Sequence, residues 1–341
     1  MRVAPPLLRP SFSHLRRLTD AGGLYEHAEG IVPRTAHGYC VDDVARALVV
    51  VCREADPELS GLQEQYLGFV VSAQSEDGTF RNRRSADLRW SGASSTEDWW
   101  GRALWGLGAA VRRPASSTAR EAALAAFERG AVLRSRWSRA MAFAGLGAAE
   151  VLAVRPSDPL ARALLADAAR AVGRPAAAAS WPWPELRLRY ANAALPEVLV
   201  AAGSLLGDRS LLDDGLLLLG WLLEQETRDG HLSVVPVAGR GPADLGAGFD
   251  QQPIEVAALA DACARALAVT GDDRWLGGIE LAAAWFHGHN DGATPLVDTI
   301  SGGGFDGLEV DGRNENQGAE STLAAISTLQ HARALLLVGG L

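Results

Sequence analysis

Lysine is missing from this 341-residue chain: all 32 basic residues are arginine. That excludes a lysine Schiff base and the lysine of a phosphate-binding loop. No G-x-G-x-x-G follows a strand-like run, so the usual nucleotide-binding signatures are missing too. Cysteine is scarce. Cys40, Cys52 and Cys263 match neither a disulfide framework nor a zinc-site spacing, and no metal or cofactor is expected. Basic charge is in deficit: the net charge of −9 argues against a nucleic-acid groove and an anionic membrane surface. The longest apolar run, around Leu216–Leu223, is too short to span a bilayer. Met1 to Pro10 holds no apolar core of the length a signal peptide needs, so a cytoplasmic location is expected.

What the chain has in quantity is Ala, Leu and Gly. Hydrophobic residues make up 48% and charged residues 21%, which is a globular composition, and the shortage of alternating Val and Ile favours helices over strands. Helical runs arrive in pairs. The first member of each pair is amphipathic: residues 10–20, 57–74, 116–132, 157–173, 209–227 and 272–288. The second carries little charge on any face, the pattern of a buried helix: residues 41–54, 96–111, 137–154, 191–206, 250–269 and 315–337. Six exposed helices alternating with six buried ones predict an outer and an inner ring. An internal repeat supports this: Gly207-Asp208, Leu212 and Trp221 are echoed by Gly271-Asp272, Leu276 and Trp285, with 14 positions from Gly to Trp in both copies. An open solenoid needs a polar face on its last hairpin, whereas the last run, from Leu323, is very apolar. The expectation is an all-α fold, a closed (α/α)6 toroid of six hairpins formed by residues 1–341 as a single domain.

Each inner run opens on polar residues. Asn314 to Thr322, with Asn316, Gln317 and Glu320, precedes the last. His37-Gly38-Tyr39-Cys40 and Asp42-Asp43 precede the first, with Arg46 placed to pair with Asp43. Ser95-Thr96-Glu97-Asp98-Trp99-Trp100 and Arg102 open the second, with Thr96 as the expected N-cap. The third start is thinner, Arg136-Trp137-Ser138-Arg139. Trp181-Pro182-Trp183, Glu185, Tyr190 and Asn192 lead into the fourth, and Asp250-Gln251-Gln252-Pro253 with Glu255 into the fifth. In a toroid these starts share one end, so the residues converge on one cavity. Carboxylates, amides, Arg and aromatic rings suit a sugar, whose hydroxyls need paired donors and acceptors. Glycoside cleavage uses two carboxyl groups, and crowding them raises the pKa of one.

The acid–base candidates are therefore Asp43, Glu97, Asp98, Asp250 and Glu320. Adjacent carboxylates point about 100° apart on a helix, so the partners in Asp42/Asp43 and Glu97/Asp98 cannot be told apart from sequence, and capping competes with chemistry at Asp42, Asp43 and Asp250. A buried ion pair competes at Glu255. Candidate saccharide contacts are His37, Tyr39, Asp42, Arg102, Tyr190, Asn192, Gln251, Gln252, Asn316 and Gln317. Trp181 and Trp183, flanking prolines in a loop, are the expected stacking platforms. Asp306 lies in a glycine-rich loop, Gly302–Gly307, that could close over a ligand. His14, His287 and His331 fall on expected helices and Trp221, Trp275 and Trp285 on outer ones, where structural roles are expected.

With these motifs in view, the chain resembles the six-hairpin, or (α/α)6-barrel, glycosidase-like proteins. More narrowly, it is similar to a bacterial group often labelled glycosyltransferase or hypothetical. The residues that carry the likeness are His37-Gly38-Tyr39-Cys40 with Asp42-Asp43 and Ala45-Arg46-Ala47-Leu48, Glu97-Asp98 with Gly101-Arg102-Ala103-Leu104-Trp105, Asp250-Gln251-Gln252-Pro253, and Asn316-Gln317-Gly318-Ala319-Glu320-Ser321-Thr322. Val44 and Trp99-Trp100 depart from that group's pattern. The resemblance implies a carbohydrate pocket at the inner-helix mouth and, among the superfamily's hydrolases, frequent inversion. A glycoside hydrolase acting on an oligosaccharide is the expectation. An epimerase or isomerase, a polysaccharide lyase and a non-catalytic saccharide-binding protein on the same toroid are the alternatives. A terpene-cyclase-like toroid is disfavoured by an aromatic content of 6%. The sugar, the linkage and the oligomeric state are left open.

Overall fold

A computed structural model describes residues 10–339 except 55, 179 and 245. The segment read for a leader thus lies outside the described residues, save Pro10. Among the described residues, twelve α-helices alternate between two rings. The outer ring is α1 (Ser13–Leu18), α3 (Ser60–Ala73), α5 (Ser117–Ala131), α7 (Pro159–Val172), α9 (Arg209–Gln225) and α11 (Arg274–Phe286). The inner ring is α2 (Val41–Arg53), α4 (Asp98–Arg112), α6 (Ser138–Leu152), α8 (Ala194–Leu206), α10 (Pro253–Thr270) and α12 (Ala319–Gly339). Each inner helix packs on the next, and α12 packs on α2, so the ring closes. The fold is an (α/α)6 toroid. No helix among the described residues is long and apolar enough to cross a membrane.

The amphipathic/apolar alternation becomes the two rings for a simple reason. An inner helix is walled by two inner neighbours and its outer partner, so little of its surface can remain polar. Residues 41 and 43–52 of α2 and residues 139–152 of α6 are buried. Glycine lets α4 and α6 approach closely. A Cβ on Gly147 would stand 2.2 Å from the Leu104 carbonyl oxygen, and one on Gly108 2.2 Å from that of Gly147. Alanine cannot be accommodated there without moving backbone.

Several helices start later than the polar residues suggested, because those residues hold the mouth loops together instead. Helix α4 begins at Asp98 with Glu97, not Thr96, at the cap position and no side-chain cap bond. Asn192 Oδ1 accepts from the Arg189 N–H at 2.9 Å, before α8 begins. Gln251 exchanges backbone hydrogen bonds with Leu308 at 3.0 and 2.9 Å, before α10. The first run shortens to Ser13–Leu18 and the second outer run divides into a 3-10 turn, Pro57–Leu59, and α3. Short antiparallel pairs frame the mouth, among them Gly307–Glu309 with Gly312–Asn314 and Tyr39–Cys40 with Arg83–Arg84. The two repeat tryptophans occupy α9 and α11: Trp285 is fully buried and Trp221 partly.

The glycine contact can be tested directly. Gly147→Ala is expected to destabilise the protein by about 1–3 kcal/mol through overpacking. Gly277→Ala, on outer helix α11 with nothing within 4 Å of the new Cβ, is expected to stabilise it by about 0.5–1 kcal/mol. Thermal unfolding should move the two midpoints in opposite directions.

Candidate active site

The N-terminal ends of α2, α4, α10 and α12 face a cavity of about 490 Å³. Asp42, Asp43 and Arg46 enter it from α2, Asp98 and Arg102 from α4, and Glu320 and Ser321 from α12. Loop residues complete the wall: Asp250 and Gln252 before α10, Asp306, Glu309 and Asn314 before α12, Tyr190 before α8, and Glu26 and His27 before α2. The positive ends of four helices point at this acidic cavity and offset part of its charge.

Two buried arginines organise the carboxylates. Arg46 donates to Asp43 Oδ1 at 2.7 Å, one turn earlier on its own helix, and through Nη1 to Glu320 Oε2 of α12. Arg102 Nε lies 3.3 Å from Asp42 Oδ1, and its guanidinium covers the Phe143 ring at 4.2 Å. The environments split the carboxyl groups. Burial pushes Asp43 up to about 6, against the pull of Arg46. Burial also raises Asp42, opposed by Arg102 and Arg46. At Glu320, burial acts in the same direction, but Arg46 and Arg102 override it and hold the carboxyl below the ordinary glutamate range. Asp306 is raised by burial while accepting from the Gly318 N–H at 2.8 Å.

Both ambiguous pairs are resolved in space. Asp42 and Asp43 both reach the cavity, but the Asp42 side chain is 19% exposed and that of Asp43 only 3%. Asp43 is enclosed between Arg46 and the Cys40 thiol, which donates to Oδ2 at 3.1 Å. Asp98 faces the cavity and accepts from the Tyr190 hydroxyl, whereas Glu97 turns into a neighbouring hollow. Asp250 lines the wall rather than capping α10, whose cap position is Gln252.

Other expected contacts lie elsewhere. Trp183 is 1% exposed and stacks on Trp221, with centroids 5.8 Å apart; Trp181 meets the same ring edge-on at 5.0 Å. Their proline-flanked loop folds onto the outer layer, so neither reaches the cavity. Tyr39 is buried and its hydroxyl donates to Asp20 at 2.9 Å. Asn192 is buried between Arg139 and Glu255. Gln251 accepts from Trp285 Nε1 at 3.3 Å, and its amide nitrogen donates to Asp291 at 2.6 Å. Gln317 is buried against Ser301 and Asp298, and Asn316 Oδ1 receives the Gly30 N–H. His37 is exposed beside His27, outside the cavity. At Tyr39, Asn192, Gln251, Asn316 and Gln317 the polar group satisfies loop backbone or a neighbouring side chain. Glu255 forms no direct ion pair: it accepts from the amides of Ala191 and Asn192, and burial lifts it to about 7.

Glu26, His27 and Glu309 were not anticipated. They sit in loops and hairpins that only ring closure brings to the mouth, and no local spacing marks them. Glu26, Cys40 and Asp43 place possible ligand atoms within 4.8 Å of one another. Burial and the adjacent Asp43, however, push the Cys40 thiol well above its usual range, and Asp43 is already paired with Arg46. A protonated thiol is a poor metal ligand.

No family model matches the chain, and a search of curated proteins finds no match. Solved structures do match over nearly their whole length. A sugar epimerase from a ruminal bacterium aligns with a TM-score of 0.70 at 12% identity, covering 94% of this chain and 95% of that one. A D-mannose isomerase aligns at 0.71 and 9% identity, covering 98% and 100%. A GH76 α-mannanase from Bacteroides thetaiotaomicron aligns at 0.66 and 11% identity, covering 96% and 95%. At these identities the likeness establishes the toroid.

Replacing Arg46 tests the charge balance. Arg46→Met strands Asp43 in a buried pocket and is expected to cost about 3–5 kcal/mol. Adding Asp43→Asn to the same protein should recover part of that loss in denaturant titrations, because the stranded charge is then gone.

Proposed function

We propose that the protein is a carbohydrate-active enzyme and, within that class, a glycoside hydrolase. The observation that carries the reading is the division of carboxyl groups around one cavity: Asp42 raised by burial, Glu320 lowered by Arg46. Carboxyl groups whose environments push their pKa values apart form an acid and a base. The whole-length likeness to sugar-processing toroids supports the same class.

Asp42, the more accessible of its pair, acts as the general acid, and Glu320, 40% exposed at its side chain, as the base. Asp42 delivers its proton to the glycosidic oxygen as the bond from that oxygen to the anomeric carbon breaks. Water attacks that carbon and gives its proton to Glu320, so one C–O bond forms for the one lost. Asp43 and Arg102 are positioning residues. Asp43 orients Arg46, which holds Glu320; Arg102 steadies Asp42. Asp98, with Tyr190, and Asp250 bind hydroxyls. Direct attack by water, with no enzyme carboxylate acting as nucleophile, implies inversion of the anomeric centre.

A second reading, epimerisation or isomerisation, is favoured by His27 on the cavity wall and by the epimerase and isomerase among the similar structures. That chemistry commonly wants two opposed bases, and His27 is the one histidine lining the cavity among the described residues. The two readings separate cleanly in deuterium oxide. Proton NMR of manno- and gluco-oligosaccharides incubated with the protein should show reducing ends released without deuterium at C2; exchange at C2 without cleavage would replace the hydrolase by the epimerase.

The pH profile gives a further check. Because Glu320 is lowered, activity should persist below the ordinary glutamate range and fall only as Glu320 gains a proton. Because Asp42 is raised, the alkaline limb should lie above the ordinary aspartate range. Asp42→Asn and Glu320→Gln should each reduce kcat at least a hundredfold, in line with loss of a general acid or base. Full activity in either variant would refute these assignments.

A further inference from the structure

A second hollow, of about 470 Å³, opens beside the first. Each lies within the ~300–1,000 Å³ typical of small-molecule sites. The two share Asp42, Asp98 and Tyr190, so the proposed general acid and two of the hydroxyl-binding groups stand on the boundary between them.

The second hollow has the makings of a sugar site. Among the described residues Trp137 is the one exposed tryptophan, at 45%. It occupies the cap position of α6, and the Arg136 guanidinium lies 4.5 Å from its ring centroid. An indole is an apolar platform on which a pyranose face can stack. Polar groups tied to one another line the same hollow. Arg139, 4% exposed, holds Glu185 through two hydrogen bonds of 2.8 and 2.9 Å, and Ser138 donates to the same carboxylate at 3.3 Å. Glu97 turns its carboxylate into this hollow and makes no cap bond with α4. Fixed acceptors and donors beside an aromatic face suit the paired hydroxyls of a sugar ring better than a peptide or a phosphate, since Glu97 and Glu185 would repel an anion.

We propose that this hollow is a second saccharide subsite, so that the substrate is an oligosaccharide whose cleaved linkage lies at Asp42, Asp98 and Tyr190, with sugar units on both sides. The inference rests on the hydrolase reading for the position of the cleaved bond, but binding in the second hollow can be measured without turnover.

The experiment uses the full-length Glu320→Gln protein, whose altered residue lines only the first cavity. Titration calorimetry and tryptophan fluorescence are run with α- and β-linked mannose and glucose oligosaccharides of one to four units. For at least one series, affinity should rise roughly tenfold or more between one and three units, equivalent to about 1.4 kcal/mol. Trp137→Ala should abolish that rise while leaving monosaccharide binding unchanged, and Trp137→Phe should restore most of it. Affinity that does not depend on length, or a Trp137→Ala loss equal for monosaccharide and trisaccharide, would overturn the subsite; so would the absence of any binding. Turnover by the wild-type protein is measured in parallel. Length-dependent binding without cleavage leaves the subsite standing and removes the hydrolase; cleavage with no length dependence does the reverse.

Discussion

Arg46 is the cation on which the mouth of the toroid depends. It is buried, and a buried guanidinium is tolerable only when its charge is met on more than one side. Asp43 meets it from the same helix at 2.7 Å, which local spacing alone could provide. Glu320 meets it from α12, 274 positions away, which only closure of the ring provides. The same contact therefore ties the first inner helix to the last, fixes where Glu320 stands, and lowers the carboxyl that the proposed chemistry requires to be ionised. The segment before α12 reinforces the seam. His14 donates to the Gln317 carbonyl, the Gly30 N–H reaches Asn316, and the Ala319 N–H reaches the Glu26 carbonyl.

This is why so many amides and hydroxyls near the helix starts prove to be structural. Six loops crowd one end of the ring, each bringing backbone donors and acceptors that cannot all reach water. Gln251, Asn192 and Asn316 satisfy some of them, and Gln317 ties the Ser301 and Asp298 side chains together. Their side chains were legible in the sequence as polar groups at the mouth, but a group that binds a sugar hydroxyl and one that binds a loop amide have the same chemistry. Only the position of the neighbouring chain distinguishes them.

The fold was legible because it follows from periodicity: six low-charge runs between six amphipathic ones can only be buried in the middle of something. The glycines at 108 and 147 belong to that signal, since small residues mark where buried helices meet. The site was legible in part. Asp42, Asp43, Asp98, Arg102, Asp250 and Glu320 gather as their places at helix starts imply. Trp181 and Trp183 mislead because prolines commonly mark exposed loops, yet here Trp221 on α9 gives both rings a partner. Trp137 carried the opposite signal. It stands in the sparsest of the six starts, and its exposure depends on α6 beginning one residue later.

Charge alone does not distinguish the mouth, because the other end of the inner ring is charged as well. There Arg53 pairs with Asp261 at 2.7 Å, His331 binds the same oxygen at 2.6 Å, Arg265 pairs with Glu197 at 2.9 Å, and Arg333 with Glu54 at 2.8 Å. Arg53 and Arg112 lie in the last turns of α2 and α4, where a cation complements the negative helix end. Each of these carboxylates has its cation, and the hollow between this network and the mouth is only about 30 Å³. At the mouth the balance is reversed. Asp42, Asp43, Asp98, Asp250, Asp306, Glu309 and Glu320 outnumber Arg46 and Arg102 around a cavity of about 490 Å³. The positive helix ends make such an excess bearable, and neighbouring carboxylates add to the upward shift that burial gives Asp42 and Asp43. Room, surplus acid and the helix dipole coincide at the mouth, and the proposed chemistry rests on that coincidence, whereas the charges opposite are paired with one another.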